Sequence, residues 1–544
     1  MKKIPIGISD YRELKTNNYY PVDKSMIIKE FLDSSAKVTL ITRPRRFGKT
    51  LNMSMMAEFF DITKDSKDIF QDTAITKTEY LNKMNQFPTI FLSFAECKGE
   101  NLKISVFYLL SKKMAEYFPL LDNENLDEDF IKRYKMVYNA LVNETEFVRV
   151  KFSISLMCEL LYKVHGKRVM LFIDEYDTPF IEAHLNNSYD ELHNSLSGML
   201  SSALKNNPYL QYAMLTGIQR VAKENIFSGL NNLEVNTVMD EAYAQYFGFL
   251  KDEVKALLDY YCVAYSDEVR AMYDGYHIGG IDIYNPWSII NYVKQKKLIP
   301  YWVNVSSNAL IKKAMQSADQ EFSLKYETLI KTKKLEIVVD LETSFYEYSS
   351  NASLWGLFVN AGYLTIRSER GKLCTVEIPN NEVAEEFQRL TFAYLNKDQD
   401  TFTAMIEGIY NNEPNLFLDN YRSFLLTSLS YHDLISENSY HTLLLGMCAC
   451  LYADYDVRSN QEAGKGRYDI ILQCKTRKYP SYILELKYVK AYDYEKHPEL
   501  LKEKCEEAID QIKSNKYAMS LQGKIIYIAL AHSGKDVEMV WTDK

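Results

Sequence analysis

The segment Lys37-Val-Thr-Leu-Ile-Thr-Arg-Pro-Arg-Arg-Phe-Gly-Lys-Thr50 constrains the fold more than any other stretch of this chain. Its β-branched run, Val38–Thr42, reads as a buried strand, and residues 51–60 repeat Leu, Met and Phe at helical spacing. A strand, a loop ending in Gly-Lys-Thr and a helix form the context of a phosphate-binding loop. In that context Lys49 would reach the β- and γ-phosphates and Thr50 would ligate Mg²⁺. The amides around Gly48 would hold phosphate oxygens at the helix N-terminus. The motif's first glycine belongs at position 43, where this chain has Arg43. A Cβ there crowds the tight turn and argues against fast turnover. Arg43, Arg45 and Arg46 add positive charge to the loop, which suits a polyphosphate.

Gly-Lys-Thr also opens many ordinary helices, so a second element decides the reading. Val169-Met-Leu-Phe-Ile-Asp174-Glu175 is an apolar strand ending in two carboxylates. Asp174 would hold Mg²⁺ and Glu175 would polarise the attacking water, the Walker B arrangement. A further strand ends in Leu215-Thr-Gly-Ile-Gln-Arg220. Thr216 sits where a sensor of the γ-phosphate is expected. Arg220 suits a finger for this or a neighbouring subunit, which would require a homo-oligomer. A polar strand end with a surface arginine reads equally well. Strands at 89–93, 169–173 and 212–215, with helices at 102–118 and 152–164 between them, predict a parallel α/β sheet.

At 544 residues the chain needs several domains. Residues 239–400 read as mainly helical, with short strands at 335–340 and 373–378, and 401–436 as a helical connector. From 437 the order is helix (437–453), strands (468–473 and 481–487), helix (499–518) and strand (524–530). In that last unit Glu485 and Lys487 lie two apart on one strand and so project to the same side. Asp469 opens the neighbouring strand. Paired carboxylates on adjacent strands make an oxygen-rich site for Mg²⁺ or Mn²⁺, and a lysine beside them orients or deprotonates a water. Gln511 lies on the following helix, and Glu437 or Glu462 would supply a third carboxylate. The loop 462–467, Glu-Ala-Gly-Lys-Gly-Arg, would approach a phosphate backbone.

The net charge of −9 excludes a globally basic nucleic-acid coat. Eight cysteines form no C-x-x-C pair, so neither a zinc knuckle nor a thioredoxin motif is expected, and the thiols read as reduced in a cytoplasm. The N-terminus has no apolar leader region. The longest apolar run near the C-terminus, 443–453, spans 11 residues, short of the ~20 needed to cross a membrane.

With both sites in hand, the N-terminal half resembles the bacterial AAA-ATPase-like family. The resemblance rests on Ile6-Gly-Ile-Ser-Asp-Tyr-Arg-Glu-Leu14, Tyr19-Tyr-Pro-Val-Asp-Lys24 and Thr42-Arg-Pro-Arg-Arg-Phe-Gly-Lys-Thr50, with the same arginine-for-glycine departure. It continues through Phe172-Ile-Asp-Glu-Tyr-Asp177, Leu215–Arg220, Phe227-Ser-Gly-Leu-Asn-Asn232, Tyr284-Asn-Pro-Trp287, Leu354-Trp-Gly-Leu357 and Gly362-Tyr-Leu364. Gly466-Arg-Tyr-Asp469, Glu485-Leu-Lys487 and Gln511 resemble the PD-(D/E)XK nuclease superfamily, with Tyr468 in place of the proline.

The resemblance implies a P-loop parallel-sheet ATPase domain (1–238), a mainly helical, winged-helix-like middle region (239–400) and the connector (401–436). A restriction-endonuclease-like αβ domain (437–544) would follow. It implies ATP and Mg²⁺ or Mn²⁺ as cofactors and nucleic acid, DNA before RNA, as partner. The combined expectation is a cytoplasmic Mg²⁺-dependent nuclease coupled to ATP. The alternative is a nucleotide-sensing module that binds nucleic acid or protein without cleavage.

Overall fold

The computed structural model describes residues 1–220, 233–302, 309–315, 319–342, 349–395, 399–428, 437–448, 451, 454–459, 462–463, 466–515, 517–521 and 523–543. The family phrase at 227–232 and Cys450 lie outside the described residues. The chain divides into two compact units, Met1–Ala384 and Glu385–Lys544.

The first unit is built on a five-stranded sheet: β1 (Val38–Thr42), β2 (Thr89–Ser93), β3 (Val169–Asp174), β4 (Leu210–Gly217) and β5 (Leu233–Asn236). The order is β2-β3-β4-β1-β5 and every pair is parallel. Both β1 and β3 are buried at every position, as expected of strands covered on two faces. The helices Leu102–Glu116, Val150–His165 and Tyr189–Leu204 cover one face through Leu110, Ile154, Leu161, Leu196 and Leu200. Gly166, at φ 66°, ends the second of them in the left-handed conformation that glycine adopts without strain. Because the strands are parallel, their carboxyl ends meet at one edge of the sheet, where α/β proteins bind ligands.

Residues beyond this sheet are mainly helical, with a small hairpin, β6 (Tyr276–Ile278) and β7 (Ile281–Ile283). A three-stranded antiparallel sheet follows, formed by β8 (Lys334–Val338), β9 (Thr365–Arg370) and β10 (Leu373–Glu377) in the order β8-β10-β9. Strand β9 was not expected, because Thr-Ile-Arg-Ser-Glu-Arg is mostly polar and its second half faces solvent.

The second unit holds a mixed sheet of β11 (Tyr455–Ser459), β14 (Ile470–Cys474), β15 (Ser481–Tyr488), β16 (Ile525–Ser533) and β17 (Asp536–Asp543) in that order. A short hairpin, β12 (Glu462–Ala463) with β13 (Gly466–Arg467), precedes β14. Only the β15–β16 pair of the sheet is parallel. Period-2 alternation splits its side chains between two cores. Leu472, Leu484 and Ile528 join one, while Ile471, Ile483 and Tyr527 join the other with the helix Leu500–Ser514. The segment read as a connector supplies Phe402, Met405, Phe417, Tyr421 and Phe424 to the first of these cores. Among the described residues no cysteine is in a disulfide and no helix is long and apolar enough to cross a membrane.

His532 lies in that first core, fully buried, stacked on Tyr440 with ring centroids 4.0 Å apart. Its Nε2 lies 2.9 Å from the Tyr421 hydroxyl, within hydrogen-bonding distance. Burial pushes the imidazole from 6.5 down to about 3. The unfolded chain therefore binds a proton below pH 6.5 that the native state refuses, and stability falls as the pH drops towards 3. At pH 5 the loss is about 2 kcal/mol. His532→Phe is expected to be less stable than wild type at pH 8, because the Tyr421 hydroxyl loses its hydrogen-bond partner, yet to lose less on going to pH 5. Urea unfolding at the two pH values checks this, and equal losses in the two proteins would refute it.

Candidate functional site

The loop ending in Gly48 joins β1 to the helix Lys49–Phe60, whose N-cap, Gly48, sits at φ 81°. The Lys49 ammonium is buried and folds back over the loop, donating to the carbonyls of Arg43 at 2.9 Å and Pro44 at 2.8 Å. Burial lowers its pKa, offset in part by Glu175 and Asp174. Arg43 leaves the phosphate-facing set in which the sequence reading placed it. Its guanidinium is wholly buried and donates to the carbonyls of Thr42, Asn236, Thr237 and Ala242 at 2.6–3.3 Å. A residue in a glycine's place thus ties the loop to the end of β5. Arg45 and Arg46 line the cavity beside Gly48, Lys49 and Thr50.

Asp174 is buried at the end of β3 and gathers three hydroxyls. Thr50 Oγ1 donates to Oδ2 at 2.7 Å, Thr216 Oγ1 to Oδ1 at 2.7 Å and Ser93 Oγ to Oδ2 at 3.1 Å. Desolvation raises its pKa, opposed by the Thr50 and Thr216 bonds. Ser93 was missed by the sequence reading. It ends β2 in register with Asp174, so a polar residue closing an apolar strand was the available signal. Glu175 adopts a left-handed backbone at φ 50° and lines the same cavity. Arg220 faces Glu342, with its guanidinium 3.7 Å from the carboxylate.

The two residues that follow Asp174-Glu175 hold the next strand's end. Asp177, fully buried, accepts from the amides of Ile218 at 2.8 Å and Gln219 at 2.9 Å, and the Tyr176 hydroxyl donates to the Gln219 carbonyl at 2.8 Å. The Asp177 carboxyl is pushed up to about 6 by burial, against the pull of those two amides. A Cβ on Gly217 would lie 2.7 Å from Asp177 Oδ1, so only glycine lets the two segments close.

In the second unit, Glu485 on β15 is buried against the helix Leu500–Ser514. Gln511 of that helix donates through Nε2 to Glu485 Oε1 and accepts from Lys487 Nζ at 2.9 Å. Lys487 Nζ also lies 3.3 Å from Glu485 Oε1. Asp469, just before β14, accepts from the Leu486 amide at 2.8 Å through Oδ2. Desolvation and the Asp469 charge push Glu485 up to about 7. Its Oε2 is buried with no hydrogen-bond partner among the described residues. His441 Nε2 lies 3.2 Å from the Asp469 carbonyl. The side chains of Glu437, Glu462 and the loop at 462–467 lie outside the described residues.

Residues 5–227 match the model of a family described as a predicted AAA-ATPase, and residues 435–542 match that of the PD-(D/E)XK nuclease superfamily. This chain is a fusion of an AAA-ATPase-like segment with a PD-(D/E)XK superfamily segment. An uncharacterized protein in the vnfD 5′ region of Azotobacter chroococcum mcd 1 is 26% identical to it over 371 residues. That alignment covers 67% of this chain and 64% of the relative, so the chain spans less than two thirds of the relative's length.

The donor set of the nuclease segment fits a divalent cation. Glu485 Oε2 is a buried oxygen in want of a positive partner, and Asp469 is close enough to disfavour a second bare negative charge. Among the described residues no cluster of three or more His, Cys, Asp or Glu side chains occurs. In the AAA-ATPase-like segment, Asp177→Ala would leave two buried amides without acceptors. It is expected to destabilise the protein by about 2–4 kcal/mol, read as a lowered urea midpoint. An unchanged midpoint would remove the clamp from the account.

Proposed function

We propose that this chain is an Mg²⁺-requiring nuclease acting on DNA and coupled to ATP binding. In this reading Lys49, Thr50, Asp174 and the amides after Gly48 hold a Mg²⁺-nucleotide, with Arg45 and Arg46 beside the phosphates. Glu175 orients the hydrolytic water and Thr216 senses the γ-phosphate. Asp469 and Glu485 hold the nuclease cation, which when bound supplies a Lewis acid at the scissile phosphate. Lys487 orients or deprotonates the attacking water and stabilises charge on the phosphoryl oxygens. Gln511 fixes Lys487 and Glu485 against each other.

The observation that carries the reading is the buried Glu485, costly as an anion beside the Asp469 charge, whose Oε1 pairs with Lys487 while its Oε2 has no hydrogen-bond partner among the described residues. A module that only bound nucleic acid would gain nothing from that cost. The net charge of −9 favours the second reading, a nucleotide sensor without cleavage, because non-specific DNA binding relies on basic surface. Incubating the protein with plasmid DNA, Mg²⁺ or Mn²⁺, with and without ATP, separates the two. Metal-dependent nicking supports the nuclease, and intact plasmid with ATP still bound supports the sensor.

A further inference from the structure

A cavity of about 650 Å³ runs from the phosphate-binding loop into the first unit. Its lining combines Gly48, Lys49, Thr50 and Glu175 with the apolar side chains of Tyr20, Val22, Phe249, Leu257, Trp287 and Ile290. The volume is that of a small-molecule site. Triphosphate alone would occupy the charged groups of the lining and leave its apolar side chains without a ligand. A planar heterocycle with a sugar would bury against those aromatic and aliphatic walls and gain by it.

The walls come from distant parts of the chain and are held in place. Lys24, just past Tyr20 and Val22, donates to the Gln245 carbonyl at 2.7 Å and to Glu253 at 2.6 Å. Glu253 also accepts from the Leu250 amide at 2.7 Å, which fixes the start of the helix Lys251–Tyr260. Asn285 caps the helix Pro286–Gln295 by accepting from the Trp287 and Ser288 amides, and the Trp287 indole N–H donates to the Tyr301 carbonyl at 3.2 Å. The indole is therefore oriented from both ends. The Arg46 guanidinium lies 4.6 Å from its ring centroid, so the phosphate-binding loop touches the aromatic wall directly.

We infer that this chamber holds the base and ribose of a nucleoside triphosphate, and that Trp287 distinguishes a nucleotide from bare polyphosphate. The inference rests on the phosphate-loop reading above and adds the half of the ligand that reading leaves unplaced. Its test is calorimetric titration of the full chain with Mg-ATP and, separately, with Mg-tripolyphosphate. Wild type is expected to bind ATP at least about tenfold more tightly than tripolyphosphate. Trp287→Ala is expected to weaken ATP roughly tenfold and leave tripolyphosphate unchanged, with Trp287→Phe between the two. Ile290→Trp fills the chamber from the same helix, should give the same selective loss, and stands in if Trp287→Ala does not fold. Equal affinity of wild type for both ligands, or parallel effects of Trp287→Ala and Ile290→Trp on both, would overturn the inference. Failure of the phosphate-loop reading looks different: Lys49→Ala would then bind both ligands as wild type does.

Discussion

Glu485→Gln is expected to lower metal-dependent DNA cleavage roughly 1000-fold or more while leaving the protein folded. The glutamine keeps an Oε1 that accepts from Gln511 and Lys487, so the local packing survives. What it loses is the charge that a cation needs. The folded-state value of Glu485, about 7, lies above the ordinary 4.5, so in the metal-free protein this carboxylate begins to cost stability as the pH rises past 4.5, and the cost is complete above about 7. Below pH 4.5 both states are protonated and the cost vanishes. At pH 8 the neutral glutamine removes it, so without metal Glu485→Gln should melt no lower than wild type. Adding Mg²⁺ should raise the wild-type melting temperature and leave the variant's unchanged. Plasmid nicking and thermal melts with EDTA or Mg²⁺ read both effects. A variant that nicks at the wild-type rate, or gains as much from Mg²⁺, would remove Glu485 from the metal site.

Lys49→Ala is expected to weaken ATP binding roughly 100-fold and to abolish hydrolysis. Without nucleotide the ammonium is held by the Arg43 and Pro44 carbonyls inside the loop. A polyphosphate would draw it from two neutral acceptors to anionic ones, a stronger pairing at a buried position. Alanine removes that attraction and leaves two loop carbonyls without their donor. The same variant tests coupling. If nucleotide governs cleavage, plasmid nicking by Lys49→Ala should no longer respond to ATP in either direction, while its basal rate stays near that of wild type. A variant that still binds ATP at wild-type affinity would refute the phosphate-loop role. One whose nicking still responds to ATP would place the nucleotide control elsewhere.

Much of this architecture was legible along the chain. The β-branched run before Gly-Lys-Thr, the apolar strand ending in Asp174-Glu175 and the strand ending at Thr216 all fold as expected into neighbours of one parallel sheet. The two-residue spacing of Glu485 and Lys487 places both on one side of β15, and Gln511 meets them from the next helix. Strands β11 and β17 were not anticipated. In β17 Val537, Met539 and Trp541 turn towards the first core, with Glu538 and Val540 between them and Val540 packing on the other core, so its signal was a period of 2 partly masked by Val540.

Local pattern by itself determined the strand, loop and helix around Gly48-Lys49-Thr50 and the shared side of β15 on which Glu485 and Lys487 stand, because strand and helix periodicities act over a few residues. Only the tertiary structure decided where Arg43 goes, since its acceptors Asn236 and Thr237 lie 193 and 194 positions away. The same holds for Ser93 joining Asp174 across 81 positions, for Asp177 clasping Ile218 and Gln219, and for Arg46 meeting Trp287. Those partners are chosen by which backbone groups and rings the packed sheet and helices bring together. No short stretch of sequence carries that information, because the free energy that selects it belongs to contacts between distant segments.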